Sequence, residues 1–506
     1  MTGGGPRYAG RVLHRRPRAP LPFERVLRDG DELFELSERG HYLLLSEAGL
    51  FVGRDRGAQA ATFVPWDAVT HLTRNERSLW VGTRNAVHLA NRSRESAASF
   101  DTIAAEIERR IGQRPGGMAQ LARMREIDGR AQRARAPLVS LGLVAVCIAV
   151  HLLQISDPFV REAGQFWGEL VGEGELWRLV TAHFLHDETW FYVSPLEVPV
   201  SQLLWALPAH ITLNCIGALL LGYLIEHSLG RARTIFVIAV AGLSSLTVSA
   251  LASPAAVVGA SGLVLGMAGA VLALELRVPD RLPAGWRLPR RLMLIALVLD
   301  TTAGFFIDGI AVWAHIGGFL GGYFAARPLA PGLMQDSDSS HWLRPVAAMV
   351  GLVVAVSFGS AGALVLRSGW AFERHARNVL ALEEVGAVQL NNLAWLIATE
   401  ASRPQRAAAS ALELAERAVE KTDRANPDYL DTLAEVQFLF GDPEAAITTI
   451  DEAIEIAPWD DYFREQRDRF IGLRPADERP QSPDLPWFRR GPVEPAPWDD
   501  GSGVDI

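Results

Sequence analysis

Seven apolar stretches, at residues 138–154, 208–226, 234–252, 257–276, 292–307, 309–326 and 344–366, constrain this chain more than any other feature. Roughly 20 apolar residues in a helix cross the hydrocarbon of a bilayer. Within lipid every backbone polar group must be satisfied by its own segment, so such stretches cross as helices. A mean hydropathy of +0.12 is too high for an ordinary soluble protein of 506 residues, yet both ends are too charged to be membrane throughout. The expected fold class is a polytopic α-helical membrane protein with soluble flanks. The 292–307 stretch is short, and the bilayer must thin around it or the helix must extend into its flanks. Glycines recur through the block (Gly217, Gly222, Gly266, Gly269, Gly317, Gly321), as expected where helices in lipid approach backbone to backbone.

Basic residues orient the block. Arginines precede the first stretch (Arg123, Arg125, Arg130, Arg133, Arg135), follow the second (Arg231, Arg233) and follow the fourth (Arg277, Arg281, Arg287, Arg290, Arg291). The loop after the first stretch is acidic instead, with Asp157, Glu162, Glu169, Glu173 and Glu175. Counting Lys and Arg only, the N-terminus is expected in the cytoplasm and, after an odd number of spans, the C-terminus outside.

The flanks change period. Arg7, Arg11, Arg15, Arg16 and Arg18 are followed by no apolar core of a signal peptide, so 1–36 is expected as a disordered arm. Short β-rich pieces follow from about residue 40 (42–45, 49–53, 61–64, 68–72, 79–82), separated by turn residues. A helix is expected at about 98–112, where Phe100, Ile103, Ala104, Ile107 and Ile111 fall at helical spacing. Strands closed by one amphipathic helix resemble a small pleckstrin-homology-like barrel at 37–112, a likeness of fold that carries no function. Residues 113–136 read as a basic linker beside the membrane. After a cytoplasmic loop at 327–343 and the seventh span at 344–366, residues 371–475 show two helix pairs that resemble tetratricopeptide repeats, with an insertion after Thr399. Such units bury their apolar faces by stacking, and a partner-binding or dimerising role is expected of them. Residues 476–506, rich in Pro, Asp and Glu, read as a disordered tail.

The chemistry lies in the apolar block. Cleaving a peptide bond there requires a nucleophile, a base, donors for the developing oxyanion, and water. Ser261 opens one stretch between the small residues Gly259 and Gly262, and His315 lies a few residues into another, entering from the same face. An ionisable side chain inside a membrane helix is a functional-site candidate by default. Read singly, Ser261 is more readily a small packing residue, and His315 an interhelical hydrogen bond or a buried neutral imidazole. Their matching depth favours a Ser–His pair. His210 and Asn214, four apart on one helical face, can both donate hydrogen bonds and suit an oxyanion or, alternatively, a polar helix clasp.

Five motifs fall in order: Trp177-Arg178 in the acidic loop, His183 and His186 leading to His210-x-x-x-Asn214, Glu226 before Gly230, Gly259-x-Ser261-Gly262, and Ala314-His315-x-x-Gly318 with Gly322 one turn on. With them the sequence resembles the rhomboid intramembrane serine proteases over about residues 137–326, with a seventh span added to the six-helix core. The resemblance implies that Ser261 attacks the scissile carbonyl and His315 serves as base and then acid, with no carboxylate third member. It further implies an oxyanion hole of His210, Asn214 and the Ser261 N–H, an anchored loop at Trp177 and Arg178, and a brace at Glu226. Gly259, Gly262 and Gly318 would be structural. Implied substrates are single-span membrane proteins cut near the outer face, and the implied location is a plasma membrane, read as the bacterial inner membrane.

One departure stands out. Residues 187–209 separate the histidine stretch from His210, and their aromatics and prolines (Trp190, Phe191, Tyr192, Pro195, Pro199, Trp205) suggest an interfacial lid. The alternative reading is a catalytically silent rhomboid-like scaffold that binds client proteins. A transporter finds only Asp300 and Asp308 as hints. Cys147 and Cys215 have no metal-ligand pattern around them, no cofactor or metal is expected, and a net charge of −9 points away from nucleic acid.

Overall fold

The computed structural model describes residues 32–37, 41–54, 62–74, 78–91, 100–132, 136–157, 159–186, 209–253, 256–304, 310–330, 342–366, 369–382, 385–399 and 405–480. The chain divides into two compact units. One holds residues 1–146, 188–252 and 260–350; the other holds 147–187, 253–259 and 351–506.

In the first unit, alternating apolar residues build two antiparallel meanders among the described residues. Strands β1 (Glu32–Ser37), β2 (His41–Leu45), β3 (Gly49–Arg54) and β4 (Thr62–Pro65) pair in order, and β5 (His71–Arg74), β6 (Ser78–Gly82) and β7 (Val87–Asn91) form the second sheet. Leu43 faces Val52 and Leu45 faces Leu50 across the β2–β3 ladder, turning one face inward. Helix α1 (Phe100–Gly112) closes that face with Phe100, Ile103, Ala104, Ile107 and Ile111, all buried. Two sequence expectations change here. The arm expected at 1–36 gives way at Glu32 to strand β1, whose Glu-Leu-Phe-Glu-Leu-Ser run shows no two-residue alternation. The linker expected at 113–136 contains helix α2 (Gly117–Gln132). Leu121 and Met124, three apart, join the α1 core, a short stripe that the surrounding arginines mask in the sequence.

Next come α3 (Leu138–Ser156), the short helices α4 (Phe159–Gly164), α5 (Gly168–Gly172) and α6 (Arg178–Thr181), then α7 (Ala209–Leu229), α8 (Arg231–Ala252), α9 (Ser261–Arg277), α10 (Arg290–Ala303), α11 (Val312–Ala326) and α12 (Leu343–Val365). Among the described residues α3, α7, α8 and α12 are long and apolar enough to cross a membrane. Leu152, Leu213, Leu220, Leu251, Leu299 and Leu352 point outward, an apolar exterior that suits lipid and not water. The molecule fits a polytopic helical membrane protein. The fifth stretch, expected at 292–307, forms a helix that begins earlier and ends sooner, at Arg290–Ala303.

Glycine sets the packing of α8, α9 and α11. A Cβ on Gly266 would strike Ala241 of α8 and the Gly318 carbonyl of α11, and one on Gly318 or Gly322 would strike the α9 backbone. With no side chain between them, the backbones approach as closely as helices in lipid can. Ser244 Oγ donates to Gly317 O at 2.8 Å across the α8–α11 contact. Helix α10 is different: among its described residues only Met293 is buried.

Still within this unit, the 278–289 loop docks on the β-rich part. His71 Nε2 bonds Leu282 O, and Arg287 donates to Thr83 O and Arg84 O while pairing with Glu275 at 3.4 Å.

The second unit has its own core. Phe159, Ala163, Trp167 and Leu170, from the loop after α3, are buried with residues of α13 (Gly369–Ala381) and α14 (Ala387–Thr399), and with α15 (Gln405–Glu420), α16 (Pro427–Leu439), α17 (Pro443–Ile456) and α18 (Asp461–Phe470). The loop and the C-terminal helices therefore share one hydrophobic interior. Helices α14 with α15, and α16 with α17, pack as successive pairs. Asn426 and Asp442 cap α16 and α17 by accepting from first-turn N–H groups, each followed by proline at the first helical position.

Candidate active site

Ser261 is the first residue of α9, so its N–H lies in the first turn, where no intrahelical acceptor exists. Two residues before it Gly259 takes φ +121°, a conformation open to glycine and strained for any other residue. Gly262 then packs against Ser245 and lies near Ala314 O, bringing α11 alongside. His315 sits in the first turn of α11, 7% exposed, and its Nε2 lies 2.7 Å from Ser261 Oγ. Its Nδ1 lies 2.7 Å from Asp300 Oδ2. A carboxylate only accepts, so Nδ1–H donates to Asp300 and Nε2 is left to accept from the Ser261 hydroxyl.

The α7 residues reach the same level. A Cβ on Gly217 would meet Val264 Cγ1 at 2.6 Å, and one on Gly222 would lie 3.7 Å from Met267 Sδ. Both contacts advance along both chains, so α7 and α9 run parallel. Asn214 and Ser261, each three residues before the first contact, stand at one height, about 4.5 Å along the axes from it. Asn214 is buried, and among the described residues its Nδ2 has no hydrogen-bond partner. His210 is one turn earlier on the same helix and partly exposed.

Glu226 stands at the far end of α7. Its carboxylate accepts from Val139 N at 3.0 Å, Ser140 N at 3.2 Å and Ser140 Oγ at 3.3 Å, neutralising the positive end of α3. Trp177 and Arg178 belong to the other unit. Trp177 Nε1 donates to Ala163 O at 2.9 Å. Arg178, fully buried, donates to Glu162 O and Gln165 O at 2.7 Å each and pairs with Glu175 at 2.6 Å. His375 and Asn378 of α13 bond Glu175 Oε1 at 2.8 and 3.0 Å. Burial works against the charge on Glu175, but His375, Arg178 and Asn378 outweigh it and hold the carboxyl down to about 2. Burial likewise opposes a charged His375, and Glu175 and Glu162 overcome it, raising the imidazole above its ordinary value. Residues 187–208, read as a lid, lie outside the described residues, as does Asp308.

Sequence reasoning set Asp300 aside as a transporter hint. The signal was there: a lone acid within the apolar stretch that precedes the one carrying His315. Glu175, His375 and Asn378 gave no comparable signal, because about 200 residues separate the partners.

A hydroxyl bonded to an imidazole whose other nitrogen is held by a carboxylate has the geometry by which serine hydrolases are recognised, here among apolar helices. Residues 196–332 match the Rhomboid domain family. The chain is 28% identical over 162 residues to the Rhomboid protease GluP of Bacillus subtilis, covering 32% of this chain and 27% of that protein. It is 28% identical over 182 residues to RHOMBOID-like protein 5 of Arabidopsis thaliana, covering 34% and 50%. It is 31% identical over 199 residues to the Rhomboid protease GlpG of Serratia proteamaculans, covering 38% and 63%. The matched region thus spans between about a quarter and under two thirds of these relatives' lengths. The domain match and the apolar helices together support an integral membrane protein.

Proposed function

We propose that this protein is an intramembrane serine endopeptidase that cuts single-span membrane proteins near the outer membrane face. The observation that carries this reading is the 2.7 Å contact between Ser261 Oγ and His315 Nε2 at the starts of two parallel helices. Ser261 attacks the scissile carbonyl while His315 takes its proton, then returns it to the leaving amine; water opens the acyl-enzyme by the same exchange. Asn214, with an amide that lacks a partner among the described residues, and the Ser261 N–H face the oxyanion, with His210 above them. The printed descriptions of GluP and GlpG as rhomboid proteases support the same activity.

In this reading the core is six helices plus α12 as a seventh span, and the short helices α9, α10 and α11 cross with the rest. The second unit supports it. Its core joins the loop after α3 to helices after α12, so both stand on one side of the membrane, which an even number of crossings from α7 to α12 satisfies. With the basic loops inside, the β-rich part is cytoplasmic and the C-terminal helices are outside, in a plasma membrane of bacterial inner-membrane type. Those helices serve as tetratricopeptide-like repeats that recruit a protein partner.

The test is cleavage of a panel of epitope-tagged single-span proteins by the full chain in liposomes, beside Ser261→Ala and His315→Ala chains. Products from the unaltered protein that vanish in both variants are expected. Products that persist in Ser261→Ala would overturn the reading.

A further inference from the structure

Resting on the serine endopeptidase reading, we propose that Asp300 completes a Ser261–His315–Asp300 triad, as the positioning residue that fixes the His315 tautomer and ring orientation.

The geometry comes from three helix ends. Ser261 and His315 open α9 and α11, and Asp300 lies in the last turn of α10, the helix before α11 in the chain. Asp300 Oδ2 meets His315 Nδ1 at 2.7 Å, equal to the distance from His315 Nε2 to Ser261 Oγ. The ring is thus held in line at both nitrogens. The Asp300 side chain is 28% exposed and that of His315 9%. The carboxylate is therefore partly exposed while its hydrogen bond points inward. A charge at that depth is costly in a helix otherwise facing lipid, which argues for a role beyond packing.

In the reaction the carboxylate keeps its charge throughout. As Ser261 Oγ bonds the carbonyl carbon, its proton moves to His315 Nε2; the imidazolium, now N–H at both nitrogens, is stabilised by Asp300. The proton then leaves with the amine, and the ring returns to the tautomer from which it started. Without the carboxylate the neutral ring can present N–H at Nε2, facing a hydroxyl from which it must accept.

Helix α10 itself is lightly packed. Among its described residues only Met293 is buried, and its polar ties are Arg290 to Glu275 O at 2.8 Å near one end and Asp300 to His315 near the other.

The experiment uses the full chain in detergent and a fluorophosphonate probe, reading the maximal rate of serine labelling and the probe's half-saturating concentration separately. Labelling at Ser261, absent in Ser261→Ala, is expected for the unaltered protein. Asp300→Asn is expected to lower the maximal rate about a hundredfold or more, its amide favouring the wrong tautomer, with half-saturation unchanged. Asp300→Ala should fall less, and Asp300→Glu should recover part of the rate. Unaltered labelling in Asp300→Asn and Asp300→Ala, with Ser261→Ala inactive, would leave a dyad and overturn the proposal alone. A loss that Asp300→Glu does not relieve and that raises half-saturation or lowers the melting temperature marks a structural role and also overturns it. No Ser261 labelling of the unaltered chain overturns the endopeptidase reading and this one with it.

Discussion

His315 and His375 each turn Nδ1 to a carboxylate, Asp300 at 2.7 Å in the first unit and Glu175 at 2.8 Å in the second. The pairs diverge at the other ring nitrogen. His315 Nε2 faces the hydroxyl of Ser261, whereas His375 Nε2 faces Glu162 at 3.6 Å inside a cage closed by Arg178 and Asn378. A proton on His315 has a route to a reacting atom. A proton on His375 has only carboxylates to neutralise. The same pair is thus read as chemistry in one place and as a brace in the other, and what decides is the neighbour of the second nitrogen.

The largest expected effect separates them directly. His315→Ala should reduce cleavage roughly 10²–10⁴-fold with little change in melting temperature. His375→Ala should instead leave Ser261 labelling in place and lower the melting temperature. A His375→Ala chain that melts normally and fails to label would break the distinction.

Next in size is Glu175→Ala, which leaves Arg178 buried without its counter-charge. A loss of about 3–5 kcal/mol is expected, read as earlier denaturant unfolding and faster proteolysis between residues 369 and 470. Asn214→Ala should give the opposite signature: about 10²–10³-fold lower turnover for a lost oxyanion donor, without loss of stability, since no described bond to its Nδ2 is broken. If Asn214→Ala unfolds the protein and keeps its turnover, Asn214 is a helix clasp.

The smallest effects depend on pH. Glu175, held at about 2, contributes fully above its ordinary 4.5, and its contribution disappears as pH falls through about 2. His375, raised above 6.5, contributes fully below 6.5 and loses its contribution as pH rises through the raised value. Resistance of the second unit to protease should therefore peak between about pH 4.5 and 6.5, in samples checked for protease activity at each pH. In the first unit His71, lowered to about 4 by burial and then by the Arg287 charge, behaves in reverse. Its contribution is complete above 6.5 and falls away as pH drops through about 4. Acidification to pH 4 should speed hydrogen exchange in residues 280–288, and unchanged exchange would count against the His71–Leu282 tie.

Local signals in the sequence located much of this architecture. Apolar length pointed to the long helices, and the spacing of Phe100, Ile103, Ile107 and Ile111 anticipated α1, because burial on one face leaves a 3.6-residue period. Ser261 and His315 stood out as polar groups at equal depth in apolar surroundings, and α9 and α11 bring them together. Strand β1 did not stand out, its glutamates falling three apart and breaking any two-residue alternation, nor did α2 beneath its arginines. Asp300 required knowing that α10 ends beside the first turn of α11. The Glu175–His375 contact required knowing which distant segments share a core, which no local period reports.

That shared core also fixes an order of assembly. Phe159, Trp167 and Leu170 are made early, but the residues that cover them, from Phe372 to Phe470, leave the ribosome only after all the intervening helices. The loop must wait, with its apolar side chains uncovered, until nearly the whole chain exists. A protein cut short after α11 would leave that surface open, its apolar side chains facing water at a cost of about 25 cal/mol for each Å² left uncovered.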